Sequence, residues 1–152
     1  MSSTCVSRQI AAPPARIYAA LTDASEISRW KFPDDTTIHV HEFEAREGGR
    51  FRVSLTYRTS NRIGKTTAAT DTYHGYFKEL VPGRRVVEVI EFETSDPSMR
   101  GEMTTTVELD EVAGATRLSA LHEGLPPGVS PDDNRTGWIM ALEKLAALVE
   151  SR

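Results

Sequence analysis

The chain has 152 residues, 39% hydrophobic and 26% charged, with 18 basic against 22 acidic side chains and a formal net charge of -4. These values are ordinary for a soluble globular protein with one hydrophobic core, and they argue against nucleic acid or an anionic membrane surface as the main partner. No stretch approaches the roughly 18 apolar residues of a membrane span, no apolar segment follows the N-terminus, and the single cysteine, Cys5, forms no internal disulfide, so one cytoplasmic domain over residues 1–152 is expected.

Thr4 to Ile10 reads as a short strand. Ala12-Pro13-Pro14 then opens a short helix carrying Ile17, Ala20 and Leu21 on one face, with the prolines in the first turn, where a missing N–H is tolerated. Asp23, with Glu26 three residues on, caps a second short helix that ends near Trp30. Helices this short must lean on something larger. After a turn at Phe32-Pro33-Asp34-Asp35 the period becomes twofold, and Ile38 to Ala45 is a strand. Arg46-Glu47-Gly48-Gly49 is a tight hairpin turn. Phe51, Val53, Leu55 and Tyr57 alternate with polar residues along the next strand.

Thr59 to Thr67 is polar and reads as a mobile loop. Tyr73, Gly75 and Phe77 share a strand face, Pro82-Gly83 turns, and Val86 to Phe92 returns antiparallel. Met103, Thr105, Val107 and Leu109 alternate along a sixth strand, and Thr116 to Glu123 forms a seventh. From Ser130 to Glu150 the pattern is helical, with Trp138, Ala141, Leu142, Leu145, Leu148 and Val149 on one face. Ser130 suits the N-cap, Pro131 the first turn, and Asp132 and Asp133 the positive end of the dipole. About 20 residues make a rod roughly 30 Å long. Seven antiparallel strands, two short helices after the first and one long final helix make an α+β protein.

Ile10-Ala11-Ala12-Pro13, Ile17-Tyr18-Ala19-Ala20-Leu21-Thr22-Asp23 and Trp30 resemble the opening of the START-like (Bet v 1-like, SRPBCC) superfamily. Glu42-Phe43-Glu44-Ala45-Arg46-Glu47-Gly48-Gly49-Arg50-Phe51 resembles its AHSA1 branch, the activator of Hsp90 ATPase homologue 1-like family. So do Gly75-Tyr76-Phe77-Lys78-Glu79-Leu80-Val81-Pro82, Gly114-Ala115-Thr116-Arg117-Leu118, His122-Glu123-Gly124-Leu125, Gly137-Trp138 and Leu142-Glu143-Lys144-Leu145. The resemblance spans nearly the whole chain in order. It implies a helix-grip fold, a seven-stranded curved antiparallel sheet wrapped around the C-terminal helix with a cavity between them. Its superfamily holds lipid and hormone carriers, aromatic polyketide cyclases and co-chaperone domains. It implies no cofactor and supplies no catalytic residue to carry over.

In such a fold the inward stripe is core at the closed end and cavity wall at the other. The apolar and aromatic candidates for ligand contact are Trp30, Phe51, Val53, Tyr57, Tyr73 and Phe77, then Ile90, Phe92, Met103, Trp138, Leu142 and Leu145. Thr105, Glu88 and His122 are the polar candidates, since a small-molecule site is mostly apolar with a few polar anchors. Glu88 shares a face with Val86, Ile90 and Phe92; it either points inward, or a bulge turns it to solvent, or an arginine pairs with it. His122, in parity with Leu118 and Ala120, is either a hydrogen-bonded structural residue or an acid/base group.

Arg135 either guards the cavity mouth or is solvated. His39 and His41 share a strand face, but a metal site needs three or four ligands to converge, so no metal is expected. No phosphate loop or nucleophile elbow is present. The reading is a protein holding a small hydrophobic or aromatic molecule. Its alternatives are a cyclase- or hydratase-like enzyme using Glu88 or His122, and a co-chaperone-like interaction module. For the last, Met140, opposite the buried stripe, marks either a protein partner or a homodimer contact.

Overall fold

Alternation along each strand becomes a single antiparallel sheet of seven, in the order β1-β7-β6-β5-β4-β3-β2. The computed structural model describes residues 2–57 and 70–150, so the loop read over Thr59 to Thr67 lies outside the described residues. The elements are β1 (Ser2–Ile10), α1 (Pro14–Leu21), α2 (Ala24–Trp30), β2 (Thr36–Phe43), β3 (Arg50–Tyr57), β4 (Thr70–Val81), β5 (Arg85–Phe92), β6 (Met103–Val112), β7 (Ala115–Leu125) and α3 (Pro131–Glu150). A short 3-10 turn, Pro97–Met99, falls in the connection read as a loop. This is the α+β helix-grip arrangement, with the curved sheet around the last helix.

The local rules act as expected at the helix starts. Asp23 accepts hydrogen bonds from the Ser25 and Glu26 amides, and Ser130 Oγ accepts from the Asp133 amide at 3.2 Å. Register shifts in β2 between Val40 and Glu42 and in β4 between Phe77 and Glu79 bend the sheet as bulges do. Gly75, two residues before the β4 shift, has no room for a side chain: a Cβ would stand 1.9 Å from the Val89 carbonyl and 2.9 Å from the Phe51 ring. The ring it makes room for anchors an aromatic cluster, with Phe51 5.2 Å from Phe77 and 6.0 Å from Tyr73 between centroids.

Two different ends result along α3. Its C-terminal half buries Ala141, Leu142, Leu145, Ala146 and Val149, so Ala146 joins the predicted stripe while Leu148 is only half-buried. The short helices complete that closed end: Arg16 forks onto Glu26 with two 2.9 Å bonds, and the Trp30 indole donates to the Ala20 carbonyl at 3.0 Å. The N-terminal half of α3 stands further off, with Trp138 half-buried and Gly137, Ile139 and Met140 exposed.

Candidate functional site

Four strands place one polar residue each in the same row of the concave face. Thr4 on β1 lies opposite His122 on β7. His122 faces Thr105 on β6, and Thr105 faces Glu88 on β5. All four are buried. Parity leaves open whether Glu88 and His122 point inward; the strand pairing and their burial place both in this stripe.

A buried carboxylate needs a partner, and the partner comes from the other layer. Lys31, the residue that ends α2, extends Nζ to within 3.3 Å of Glu88 Oε1. Lysine thus takes the place for which the sequence suggested an arginine. Its ammonium also stands 6.0 Å from the centroid of the Tyr73 ring. Burial pulls the Lys31 pKa down, but the Glu88 carboxylate, with a smaller contribution from Tyr73, more than reverses this and holds it above the ordinary lysine value. The Tyr73 phenol is pushed up by burial, an effect that Lys31 partly offsets.

His122 is held as a neutral imidazole. The Trp138 indole donates to its Nδ1 at 3.1 Å, and the Asn134 amide nitrogen lies 3.2 Å from the same atom. With Nδ1 accepting, the proton sits on Nε2, which faces Met103 Sδ at 3.3 Å. Asn134 is oriented in turn by the Thr4 hydroxyl, which donates to Oδ1 at 2.5 Å. Burial, and secondarily the charge of Lys31, depress the His122 pKa to about 4. The row therefore pins the loose half of α3 to the sheet.

Between that half of α3 and the sheet lies a cavity of about 370 Å³. Of the residues expected to contact a ligand, Tyr57, Tyr73, Glu88, Ile90, Phe92, Thr105, His122 and Trp138 line it. Trp30, Phe51, Val53, Phe77, Met103, Leu142 and Leu145 instead lie in the packed core, none more than 3% exposed. The wall also includes Leu55, in phase with Tyr57 on β3, and Lys31, Phe32, Asn134 and Ala141, which parity on the strands does not reveal. At the rim Lys144 reaches from α3 to Asp34 at 2.8 Å and donates to the Phe32 carbonyl, joining helix to the α2–β2 connection. Met140, 53% exposed, belongs to this rim as well as to the outer surface.

The other candidates lie elsewhere. Arg135 is exposed, 3.8 Å from Asp132, and is not on the wall. His39 and His41 stack edge-on at 4.3 Å, and His74 sits beside Glu93 at 2.9 Å. Among the described residues no group of three metal-ligating side chains is placed to hold an ion. Cys5 is an exposed free thiol. No helix among the described residues is long and apolar enough to cross a membrane.

Comparison with known proteins follows the same outline. Residues 11–150 match the family described as activator of Hsp90 ATPase homolog 1-like protein. Protein CV1439 from Chromobacterium violaceum is 30% identical over the whole of both chains, with a TM-score of 0.88. The AHSA1 protein from Silicibacter pomeroyi is 20% identical over 98% of each chain, with a TM-score of 0.75. DynU16, a protein in the dynemicin biosynthetic locus, shares the fold at 19% identity and a TM-score of 0.69, over 99% of this chain and 48% of its own. No curated protein matches the sequence.

Proposed function

We propose, from the premise that the chain belongs to the activator of Hsp90 ATPase homolog 1-like family, that it acts in the cytoplasm as a one-domain binder of a small hydrophobic or aromatic molecule. The fold supports a ligand-binding or interaction module in general. The finer reading rests on one observation: a cavity of about 370 Å³ whose walls are aromatic and aliphatic and whose floor carries a short polar row. An interior of this kind discards water readily from its walls while fixing a ligand's orientation at the floor.

The acid/base alternative draws less on the geometry. A general base needs a free lone pair in reach of the substrate, and the Nδ1 lone pair of His122 is already taken by Trp138 and Asn134. Glu88 shares its charge with Lys31. Both groups serve a binding floor better than a proton shuttle.

The two tryptophans provide an internal control. Trp138 lines the cavity and Trp30 does not. Titration with a library of lipids and aromatic metabolites, followed by thermal shift and by the two indole N–H signals in NMR, should raise the melting temperature and move the Trp138 signal while leaving Trp30 in place. Absence of binding by every hydrophobic compound, or binding that moves only Trp30, would end this reading.

A further inference from the structure

Resting on the cavity being a ligand site, we propose that Lys31 and Glu88 make it selective for neutral, hydroxyl-bearing aromatic molecules, phenols above all, and against carboxylates on the same ring. The argument begins with which polar atoms the protein leaves unused. Glu88 engages Lys31 through Oε1, and no bond to its second oxygen occurs among the described residues. No fully buried side-chain polar atom among the described residues lacks a partner, so that second oxygen touches the cavity. The same holds for the hydroxyls of Tyr73 and Thr105, both of which line the wall. The Lys31 ammonium has three protons, of which Glu88 Oε1 takes one.

The floor therefore offers an acceptor and a donor side by side. A hydroxyl on a ring satisfies both, donating to Glu88 and accepting from Lys31, while the ring lies among Tyr57, Tyr73, Phe92 and Trp138. A ligand carboxylate reaching the same ammonium comes close to the Glu88 carboxylate, and like charges in a partly desolvated site repel strongly. Among the described residues no other cation compensates on this floor. His122 is a neutral imidazole, and Lys144 at the rim is engaged by Asp34 and the Phe32 carbonyl. Specificity arises from this built-in repulsion as much as from attraction.

The probes are 2-naphthol, 2-naphthoate and 2-methoxynaphthalene, titrated at neutral pH by calorimetry with the Trp138 indole signal as the site marker. In the unaltered protein 2-naphthol should bind about ten-fold more tightly than either of the others, the effect expected when one buried polar group goes unpaired or meets a like charge. Glu88→Gln removes the repelling charge and frees Lys31, so 2-naphthoate should overtake 2-naphthol. The methoxy comparison needs no variant and stands if Glu88→Gln fails to fold. Equal binding of 2-naphthol and 2-methoxynaphthalene, or an unchanged order in a folded Glu88→Gln protein, would overturn the head-group preference while leaving the cavity reading intact. If none of the three probes moves the Trp138 signal, both readings fall together.

Discussion

Acidification should loosen this protein through one side chain before the carboxylates respond. His122 has a folded pKa of about 4 against 6.5 for an ordinary histidine. A depressed histidine means that the unfolded chain binds its proton first. Stability contributed by the neutral imidazole is complete above about pH 6.5 and is lost progressively as pH falls towards 4. At about 1.4 kcal/mol per pH unit, the gap corresponds to about 3 kcal/mol, a large share of a small domain's total stability. The structural cause is specific: a proton on Nδ1 would face two donors, Trp138 Nε1 and Asn134 Nδ2.

Glu93, depressed from 4.5 to about 2 by its bonds to Arg52 and His74 with burial opposing, loses its contribution only as pH falls from about 4.5 towards 2, at the acid end of that window. His41, lowered by partial burial and by the neighbouring His39 and Arg52, pulls in the same direction as His122. A His41→Asn background removes it. Urea melts from pH 7 to 4.5 in that background should show stability falling with pH, and His122→Gln should flatten the slope. A His122 ring signal that titrates in NMR at or above 6, or identical slopes with and without His122, would refute the argument.

Three further outcomes are expected. Gly75→Ala should cost about 3 kcal/mol or prevent folding, because its methyl group meets the Val89 carbonyl at 1.9 Å where backbone cannot yield, a thermal melt being sufficient to see it. Leu145→Ala should cost about 3 kcal/mol in urea denaturation, since Leu145 is fully buried under the sheet. Trp138→Phe keeps the ring but removes the indole donor, so it should cost about 1 kcal/mol and raise the His122 pKa, read directly from the ring resonances.

The sheet was readable because its strands alternate cleanly, as in Phe51, Val53 and Leu55 against Arg50, Arg52 and Ser54. The long helix was readable from its stripe and its Ser130 cap. Twofold parity makes Glu88 and His122 candidates for the concave face but leaves their direction open, which strand pairing and burial decide. It does not say how far along α3 each inward residue falls, so it cannot separate Phe51, Phe77 and Leu142, which are packed core, from Tyr73 and Trp138, which line the cavity. Lys31 is invisible to such patterns for a different reason. It ends a seven-residue helix and meets a carboxylate 57 positions away. Its role follows from how two layers are set against each other, and no local pattern carries that information.

The place of β1 has a consequence for how the molecule is made. Its partner is β7, residues 115–125, so β1 leaves the ribosome more than a hundred residues before the strand it pairs with. Such distant pairing slows folding. Thr4, which steadies Asn134 and through it the imidazole, arrives with that strand. The polar row on the concave face is therefore complete only when strands far apart in the chain have met.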